Sequence, residues 1–540
     1  MTEPQHLLER FSPRAWAIGL VGLTLAVFST TLAGGFVYDA RMQILTDPFL
    51  HDPRNWWNVL TFGVLRMDVL DFNRPVHLAS LMLDAAVWGK TPLGYHLTSV
   101  LLHAANVVLM WMVLRRLSAD RLRAAGAPAQ GPGMPGSGDR PYAALAAAAA
   151  ALVFAVHPVV TEAVCEPTFR EDLLVGLFTL GGLRLAMGRS PGGAGDGWRA
   201  AACIACSLLA IGSKESGIAA PAAIATYWLL FRRSERGWFW PVVIGGAKLA
   251  ALVFLAARFL LEPPESKIFE SRPQYPGGSL AAALLLAPRI LALYAQLVVA
   301  PVNLCADYGL YSVAHVPLPV AAVVLAVLAG GACLAVRADR RMALALVLIV
   351  VPLVPVSNVV PIYRAAADRY LYLAMAGVAL VVGLLLDAPW LAGRERLRTR
   401  MLIGVLAADI MLAIGCMERQ RVWADSLTLW TDTVRKNPAA FTAASGLAEA
   451  FREAGQLRTA EQAARRAVEL SGGKRGEPWA TLALILDDQG REAEAFAALD
   501  KAIEVDAKLA DPAGRVAVLA MERPYADDLE RLLSRRKPAP

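Results

Sequence analysis

The chain has 540 residues, 56% of them hydrophobic and only 18% charged, with a mean hydropathy of +0.46. These values exclude an ordinary soluble globular chain and fit a polytopic membrane protein. The formal charge of +7 and pI near 9.1 do not signal nucleic acid, because the arginines fall in short clusters between apolar stretches rather than along one face.

Those clusters are Arg115/Arg116/Arg121/Arg123, Arg184/Arg189/Arg199, Arg232/Arg233/Arg236, Arg337/Arg340/Arg341 and Arg394/Arg396/Arg398/Arg400. Short Arg-rich loops stay on the cytoplasmic side, and placing all five there gives one consistent threading. It predicts about eleven spans, at 15–32, 93–114, 143–156, 173–187, 200–211, 217–231, 240–260, 318–336, 343–354, 371–386 and 401–416, with the N-terminus inside and the C-terminus outside. The stretch 280–300 does not fit, since counting it would carry the 337–341 cluster outside. It reads as a helix lying on or dipping into the outer face, interrupted at Pro288-Arg289.

Arg10 and Arg14 before the first segment, and Ala33-Gly34-Gly35 after it, also allow a signal peptide. The apolar run is long for that role and reads as an uncleaved anchor. Cys203 and Cys206 lie in a predicted apolar helix, where packing is the plain role. Cys165 and Cys305 both fall outside and are a candidate disulfide. No spacing resembles a metal site, and no cofactor is expected.

The chain divides into a transmembrane domain over 1–418 and a helical-repeat domain over 419–540 on the outer side. Within the first lie an outer loop at 36–92, a Gly-, Pro- and Ala-rich cytoplasmic linker at 118–141, and a second outer loop at 261–317. In the tail, aligning Gly455 with Gly490 brings Leu447, Phe451, Ala460 and Ala467 onto Leu482, Leu486, Ala495 and Ala502. The offset is close to the roughly 34-residue tetratricopeptide period, so an α-solenoid is expected. An incomplete unit ends at Asn437-Pro438, and the tail from Lys508 to Leu533 is a candidate cap. Such a solenoid either binds a polypeptide on its concave face or steadies the membrane domain.

Polar residues among the spans are few and grouped. His96, Ser99, His103 and Asn106 recur at i, i+3, i+7 and i+10 on one helical face. Interhelical hydrogen bonding is the plainer reading of the four, catalysis the sharper. More polar groups gather at the outer ends: Asp39, Asn73-Arg74-Pro75, His157 with Glu162, Arg170-Glu171-Asp172, Lys214-Glu215 and Asp368-Arg369-Tyr370. Charges spread for solubility would occupy both faces, so convergence on one predicts a shared site.

Several runs together resemble a family. Phe36-Val37-Tyr38-Asp39, Asn73-Arg74-Pro75, Gly94-Tyr95-His96 through His103 to Asn106, His157-Pro158 with Thr161-Glu162-Ala163-Val164, and Ser213-Lys214-Glu215 occur in order. Pro301-Val302-Asn303-Leu304, Pro355-Val356-Ser357-Asn358 and Asp368-Arg369-Tyr370-Leu371 follow. The pattern resembles the transmembrane and tetratricopeptide repeat-containing O-mannosyltransferases and their bacterial relatives, over nearly the whole chain. That resemblance implies an all-α type C glycosyltransferase fold, a catalytic acid in the first outer loop and a lipid-phosphate-linked sugar donor. It also implies transfer of mannose to Ser or Thr hydroxyls of acceptor proteins. Where the family commonly has two adjacent acids, this chain has Asp39-Ala40, with Asp47 or Asp52 in the same loop as candidates to compensate.

The chemistry stands apart from the name. A hydroxyl displacing a lipid phosphate from a sugar carbon needs a base for its proton and fixed positive charge for the leaving group. Asp39 is the candidate base, and Arg74, Arg170, Lys214 and Arg369 are the candidate phosphate ligands. His157, Glu162, Glu215, Asp368, His96 and His103 are candidates for positioning substrate. A polyprenyl tail explains a polytopic enzyme, because its phosphate must be met at the bilayer surface. No glycine-rich phosphate loop points to a cytoplasmic nucleotide-sugar donor. The Ala-, Arg- and Gly-rich composition suggests a bacterial inner membrane with the active site and repeats periplasmic. A scaffold that has lost catalysis and a lipid-linked sugar transporter are the alternatives; a transporter would carry its polar groups nearer mid-membrane.

Overall fold

The computed structural model describes residues 12–67, 69–124, 139–188, 193, 195–261, 275–309, 313, 315–511 and 523–535. No β-strand occurs among them. The first half contains α1 (Pro13–Val27), α2 (Pro75–Trp88), α3 (Pro92–Ala124), α4 (Asp139–Val156), α5 (Arg170–Ala186), α6 (Asp196–Ser213), α7 (Ala219–Tyr227) and α8 (Phe239–Leu261). Then come α9 (Leu280–Val299), α10 (Leu318–Ala338), α11 (Met342–Val350), α12 (Tyr372–Leu386) and α13 (Glu395–Val422). The C-terminal helices are α14 (Ser426–Lys436), α15 (Phe441–Glu453), α16 (Leu457–Leu470), α17 (Gly476–Asp488), α18 (Glu492–Val505) and α19 (Arg523–Arg535).

Helix starts follow local chemistry. Ser12 accepts from the Ala15 amide with Pro13 at the first helical position of α1, and Asp425 accepts from the Thr428 amide of α14. Helices α3, α4, α5 and α12 meet around Val107, Met110, Phe154, Leu173, Leu180, Tyr372 and Leu380, all buried. The segment Asp368–Leu391 is 72% buried, whereas α10 is 6% buried and exposes Val320, Val323, Val327 and Leu334. A helix apolar on every exposed side requires hydrocarbon around it, so α10 sits at the bundle's rim.

The expectation of about eleven spans is corrected. Among the described residues, six helices are long and apolar enough to cross a membrane, or seven if the pair 142–156 and 158–165, bent by 49°, is one span. The reason is length: α1 has 15 residues, about 22 Å, against a hydrocarbon core of about 30 Å. Likewise α5 opens on Arg170-Glu171-Asp172, and α7 covers only nine residues before a π-helical turn. The expected interruption at Pro288 is absent; α9 runs through it for 20 residues and passes the same length test. Tyr275, ahead of its first turn, reaches the Val359 carbonyl (3.4 Å), and Val298 in its last turn accepts from His157.

Two expected boundaries also move. Helix α3 continues through 118 to Ala124 and α4 begins at Asp139, so a linker has only 125–138, which lies outside the described residues, as do Arg10 and Arg189. Helix α13 crosses 418/419 without a break. Cys165 and Cys305 are unlinked thiols, one against the Thr31 hydroxyl and the other against the Asp307 carbonyl, so that candidate disulfide is absent.

Members of three of the basic clusters meet at one end of the bundle. Arg116 and Arg232 both reach the Gly188 carbonyl, Tyr227 donates to Asp120, and Arg340 lies over Phe231. His96, beside the Asp39 loop, is twenty residues before Arg116 on α3, which separates the two ends by about 30 Å.

In the C-terminal part, α15 pairs with α16 and α17 with α18. Gly455 and Gly490, both at positive φ, close α15 and α17, as the left-handed C′ position favours. Ala460, Ala464, Ala495, Ala498 and Ala502 are buried against Leu482, Leu486 and Leu499, the small residues letting helix axes approach closely. Helix α19 covers the far side with Tyr525, Leu529 and Leu532; residues 512–522 of the expected cap lie outside the described residues.

Candidate active site

Asp39 sits where the chain leaves α1 and enters the first loop. Its side chain is exposed and accepts no hydrogen bond among the described residues. The preceding Tyr38 has φ +53°, a left-handed conformation uncommon outside glycine and held only by its surroundings. Its ring stacks on Trp430 of α14 (5.3 Å, 25°) and packs edge-on to Phe169 (5.7 Å), with Trp423 6.1 Å away and the Arg364 guanidinium 5.7 Å from its centroid. The loop is pinned further by the Gly35 amide on the Ala424 carbonyl (3.0 Å) and by Arg41 on Glu453. The acid is thus aimed by contacts from α13, α14 and α15, elements nearly 400 residues away.

Protein packed around the loop partly desolvates the Asp39 carboxyl although the residue is exposed. This desolvation lifts Asp39 to about 6, offset by the positive charges of Arg369 and Arg364 and reinforced by Asp71 and Glu171. A carboxylate so placed is ionised at neutral pH yet is a stronger base than an ordinary aspartate.

Two charge networks flank it. In the first, Arg74 reaches Asp71 (2.8 Å), Glu171 (3.4 Å) and Glu215 (3.5 Å), and Lys214 reaches Asp172 (2.5 Å) and Glu171 (3.6 Å). Arg258 pairs with Glu215 (2.6 Å) and Asn73 donates to it. Burial would raise Glu215, but Arg74 and Arg258 beside it hold it down to about 2. In the second, Glu162 accepts from the Arg369 guanidinium and from its amide (3.0 Å), and the guanidinium lies 3.9 Å from the Phe169 ring centre. Asp368 accepts from Tyr308, with Arg419 at 3.7 Å. Asp307 pairs with Arg364 (2.5 Å) and accepts from Thr442.

The expected residues therefore separate into groups. Asp39, Arg74, Glu162, Lys214, Glu215, Asp368 and Arg369 come together at one end of the bundle. Arg170 is wholly buried in a cage of Asp84 (2.6 Å), the Tyr95 carbonyl (2.9 Å) and Ser80, and presents no donor to the cleft. His157 is enclosed, its Nδ1 accepting from the Val159 amide and its Nε2 facing the Val298 carbonyl. His96 faces the Gly35 carbonyl (3.3 Å), while His103 bridges Tyr372 (2.8 Å) and the Ala155 carbonyl (3.0 Å). Asn106 joins the same cluster through Tyr372 and Leu173. Asp47 accepts from the Phe49 amide and Asp52 pairs with Arg54, both lining a separate open pocket.

Sequence reasoning missed two residues. Arg364 is partly exposed, pairs with Asp307 and lies over Tyr38; its only signal was being a second basic residue, close before Arg369, on a segment threaded to the outside. Glu166 is completely buried, and its Oε1 accepts from the Ala40 amide (2.9 Å) and the Thr168 hydroxyl (2.7 Å). Nothing in its neighbourhood in the chain singled it out. No group of three or more His, Cys, Asp or Glu suited to a metal occurs among the described residues.

A mutational consequence follows from the Trp430 contact. A Cβ on Gly446 would stand 2.4 Å from Cε2 of Trp430, the ring that stacks on Tyr38. Gly446→Val is expected to destabilise the full chain by about 1–3 kcal/mol through overpacking, read as a lowered unfolding temperature.

Among curated proteins the chain is similar to the Protein O-mannosyl-transferase Tmtc1 of Drosophila melanogaster, 31% identical over 160 residues, 29% of this chain and 16% of that protein. It is also similar to the Protein O-mannosyl-transferase F38B6.6 of Caenorhabditis elegans, 24% identical over 396 residues, 68% of this chain and 50% of that protein. The chain thus matches half or less of these relatives' length. No family model matches it. Among solved structures, ArnT from Cupriavidus metallidurans bound to undecaprenyl phosphate aligns with 80% of each chain covered, at 16% identity and a TM-score of 0.40.

Proposed function

We propose that this chain is a type C membrane glycosyltransferase that moves a sugar from a polyprenyl-phosphate donor to Ser or Thr hydroxyls, with Asp39 as general base. The observation that carries the reading is the open, unbonded Asp39 carboxylate, lifted to about 6, in a cleft it shares with Arg364 and Arg369. Mannose as the sugar and protein as the acceptor rest on the similarity to named protein O-mannosyl-transferases.

In the reaction, the acceptor oxygen attacks the sugar's anomeric carbon while its proton passes to Asp39. The bond from that carbon to the phosphate oxygen breaks, and the electron pair leaves with the lipid phosphate. Arg364, Arg369 and Arg74 are the cations that face the cleft to meet the charge developing there. Arg170 is reassigned to holding α2, α3 and α5 together. The ends of the molecule are assigned by the positive-inside rule, with the Arg clusters cytoplasmic and Asp39 with the C-terminal helices on the outer, periplasmic side. The pairs α15–α16 and α17–α18 are assigned as tetratricopeptide units; their link to Tyr38 through Trp430 supports a role in presenting acceptor segments.

The test is transfer by the purified full chain in lipid nanodiscs, supplied with a polyprenyl-phosphate mannose and a Ser/Thr-containing peptide. Hexose addition to the peptide with release of polyprenyl phosphate is the expected result. No transfer, or transfer from a nucleotide sugar alone, overturns the reading. Within that assay, Arg364→Met is expected to lower kcat by about 10²- to 10³-fold, the usual loss of one charge-stabilising donor.

A further inference from the structure

Glu166 is a carboxyl next to the Asp39 loop that the reaction above leaves unused, and unlike Asp71 and Glu171 it pairs with no cation among the described residues. It lies in the turn between the short helix Thr161–Cys165 and the 3₁₀ turn Pro167–Phe169, and is completely buried. No basic side chain pairs with it among the described residues. Its Oε1 takes two donors, the Ala40 amide at 2.9 Å and the Thr168 hydroxyl at 2.7 Å. Its Oε2 is buried and has no partner. Ala40 itself is buried and has no polar side chain to anchor the peptide that follows the acid.

We propose that Glu166 is a positioning residue for Asp39: an uncharged carboxylic acid, its proton on Oε2, that grips the Asp39-Ala40 peptide and keeps the Asp39 carboxylate turned into the cleft. As a statement about catalysis this rests on the transferase reading above; as a statement about the loop it does not.

Charge decides which form Glu166 takes. A buried carboxylate with two hydrogen bonds and no counter-ion carries a large desolvation cost, and the only ionised group that bears on it closely is Asp39, which repels it. Both effects push Glu166 well above the ordinary range, so the acid stays neutral and the negative charge resides on Asp39. Facing Asp39 are Arg369, Arg364, Asp71 and Glu171; facing Glu166, apart from Asp39, are Thr168, the Ala40 amide and the Cys165 thiol. The strained Tyr38, at φ +53°, explains why an anchor is needed: once the Ala40 amide is released, the backbone can relax out of the left-handed region and turn Asp39 away.

The conservative variant separates this role from one that needs charge. Gln keeps the oxygen that binds Ala40 and Thr168 and puts an amide donor where the acid proton stands; Ala removes both. In the transfer assay, Glu166→Ala is expected to lower kcat about 10²-fold with the donor KM within about threefold, as loss of alignment does. Glu166→Gln is expected to rescue kcat to within about tenfold of wild type. The second readout needs no substrate: carbodiimide modification of Asp39 in the full chain, followed by mass spectrometry across pH, reports the fraction of Asp39 that is protonated. The midpoint is expected near 6 in wild type and Glu166→Gln, and at least one unit lower in Glu166→Ala, where Asp39 swings into water. If Gln and Ala lower the midpoint equally, Glu166 acts through charge and the proposal is overturned; if neither changes it, Glu166 does not position the loop. If wild type transfers no sugar while the modification pattern follows expectation, the transferase reading fails and the loop assignment stands.

Discussion

Asp39→Asn is expected to reduce kcat by about 10²- to 10⁴-fold, the contribution of a placed general base, with little change in the donor KM. The amide has the shape of the carboxylate but cannot take the acceptor's proton, and the donor phosphate is held by other groups. The pH profile makes the assignment specific. Desolvation raises Asp39 to about 6, partly countered by Arg369 and Arg364. The active form is the unprotonated one, so wild-type kcat/KM is expected to be flat above pH 6 and to fall tenfold per unit below it. The residual activity of Asp39→Asn lacks that limb. Steady-state transfer from pH 4.5 to 8 measures both, and an Asn variant with the wild-type acid limb would assign the base to another residue.

Arg170→Met is expected to be the most damaging change to folding. Arg170 and Asp84 form a fully buried pair at 2.6 Å, completed by the Tyr95 carbonyl and Ser80. Removing the cation leaves Asp84 buried and uncompensated, which costs about 3–5 kcal/mol. Removing both charges is much milder, so Arg170→Met with Asp84→Leu is expected to recover most of the loss. Unfolding temperatures of the two variants in one detergent provide the comparison. The folded fraction of Arg170→Met is expected to keep its donor KM, because this guanidinium does not reach the cleft; a raised donor KM would return Arg170 to the phosphate site.

Much of the candidate site was legible because of where charges lie along an apolar chain. Asp39, Glu162, Lys214, Glu215, Asp368 and Arg369 each stand close to an end of an apolar run and Arg74 in the outer loop between two, and polar groups at one set of helix ends must share one face of the bundle. Histidines misled for the opposite reason. His96 and His157 stand near helix ends and His103 lies within α3, but His96 Nε2 faces the Gly35 carbonyl, His157 is held by the Val159 amide and the Val298 carbonyl, and His103 by Tyr372 and the Ala155 carbonyl, which spacing cannot reveal. Arg170 misled likewise, since an arginine beside two acids looks available until Asp84 arrives from α2, 86 positions earlier in the chain.

The sequence by itself determined the class of the molecule: composition, apolar runs and Arg clusters demand a helical bundle with many apolar helices and two chemically distinct ends. Those features are local or additive, and a single chain displays them without being folded. Which helices are long enough to span, that α9 passes unbroken through Pro288, and which cations face the cleft were decided by tertiary structure. Glu166 under Ala40 and Trp430 against Tyr38 are contacts between residues 126 and 392 positions apart. Such pairs are chosen by how the bundle packs, and no period or motif along the chain encodes them.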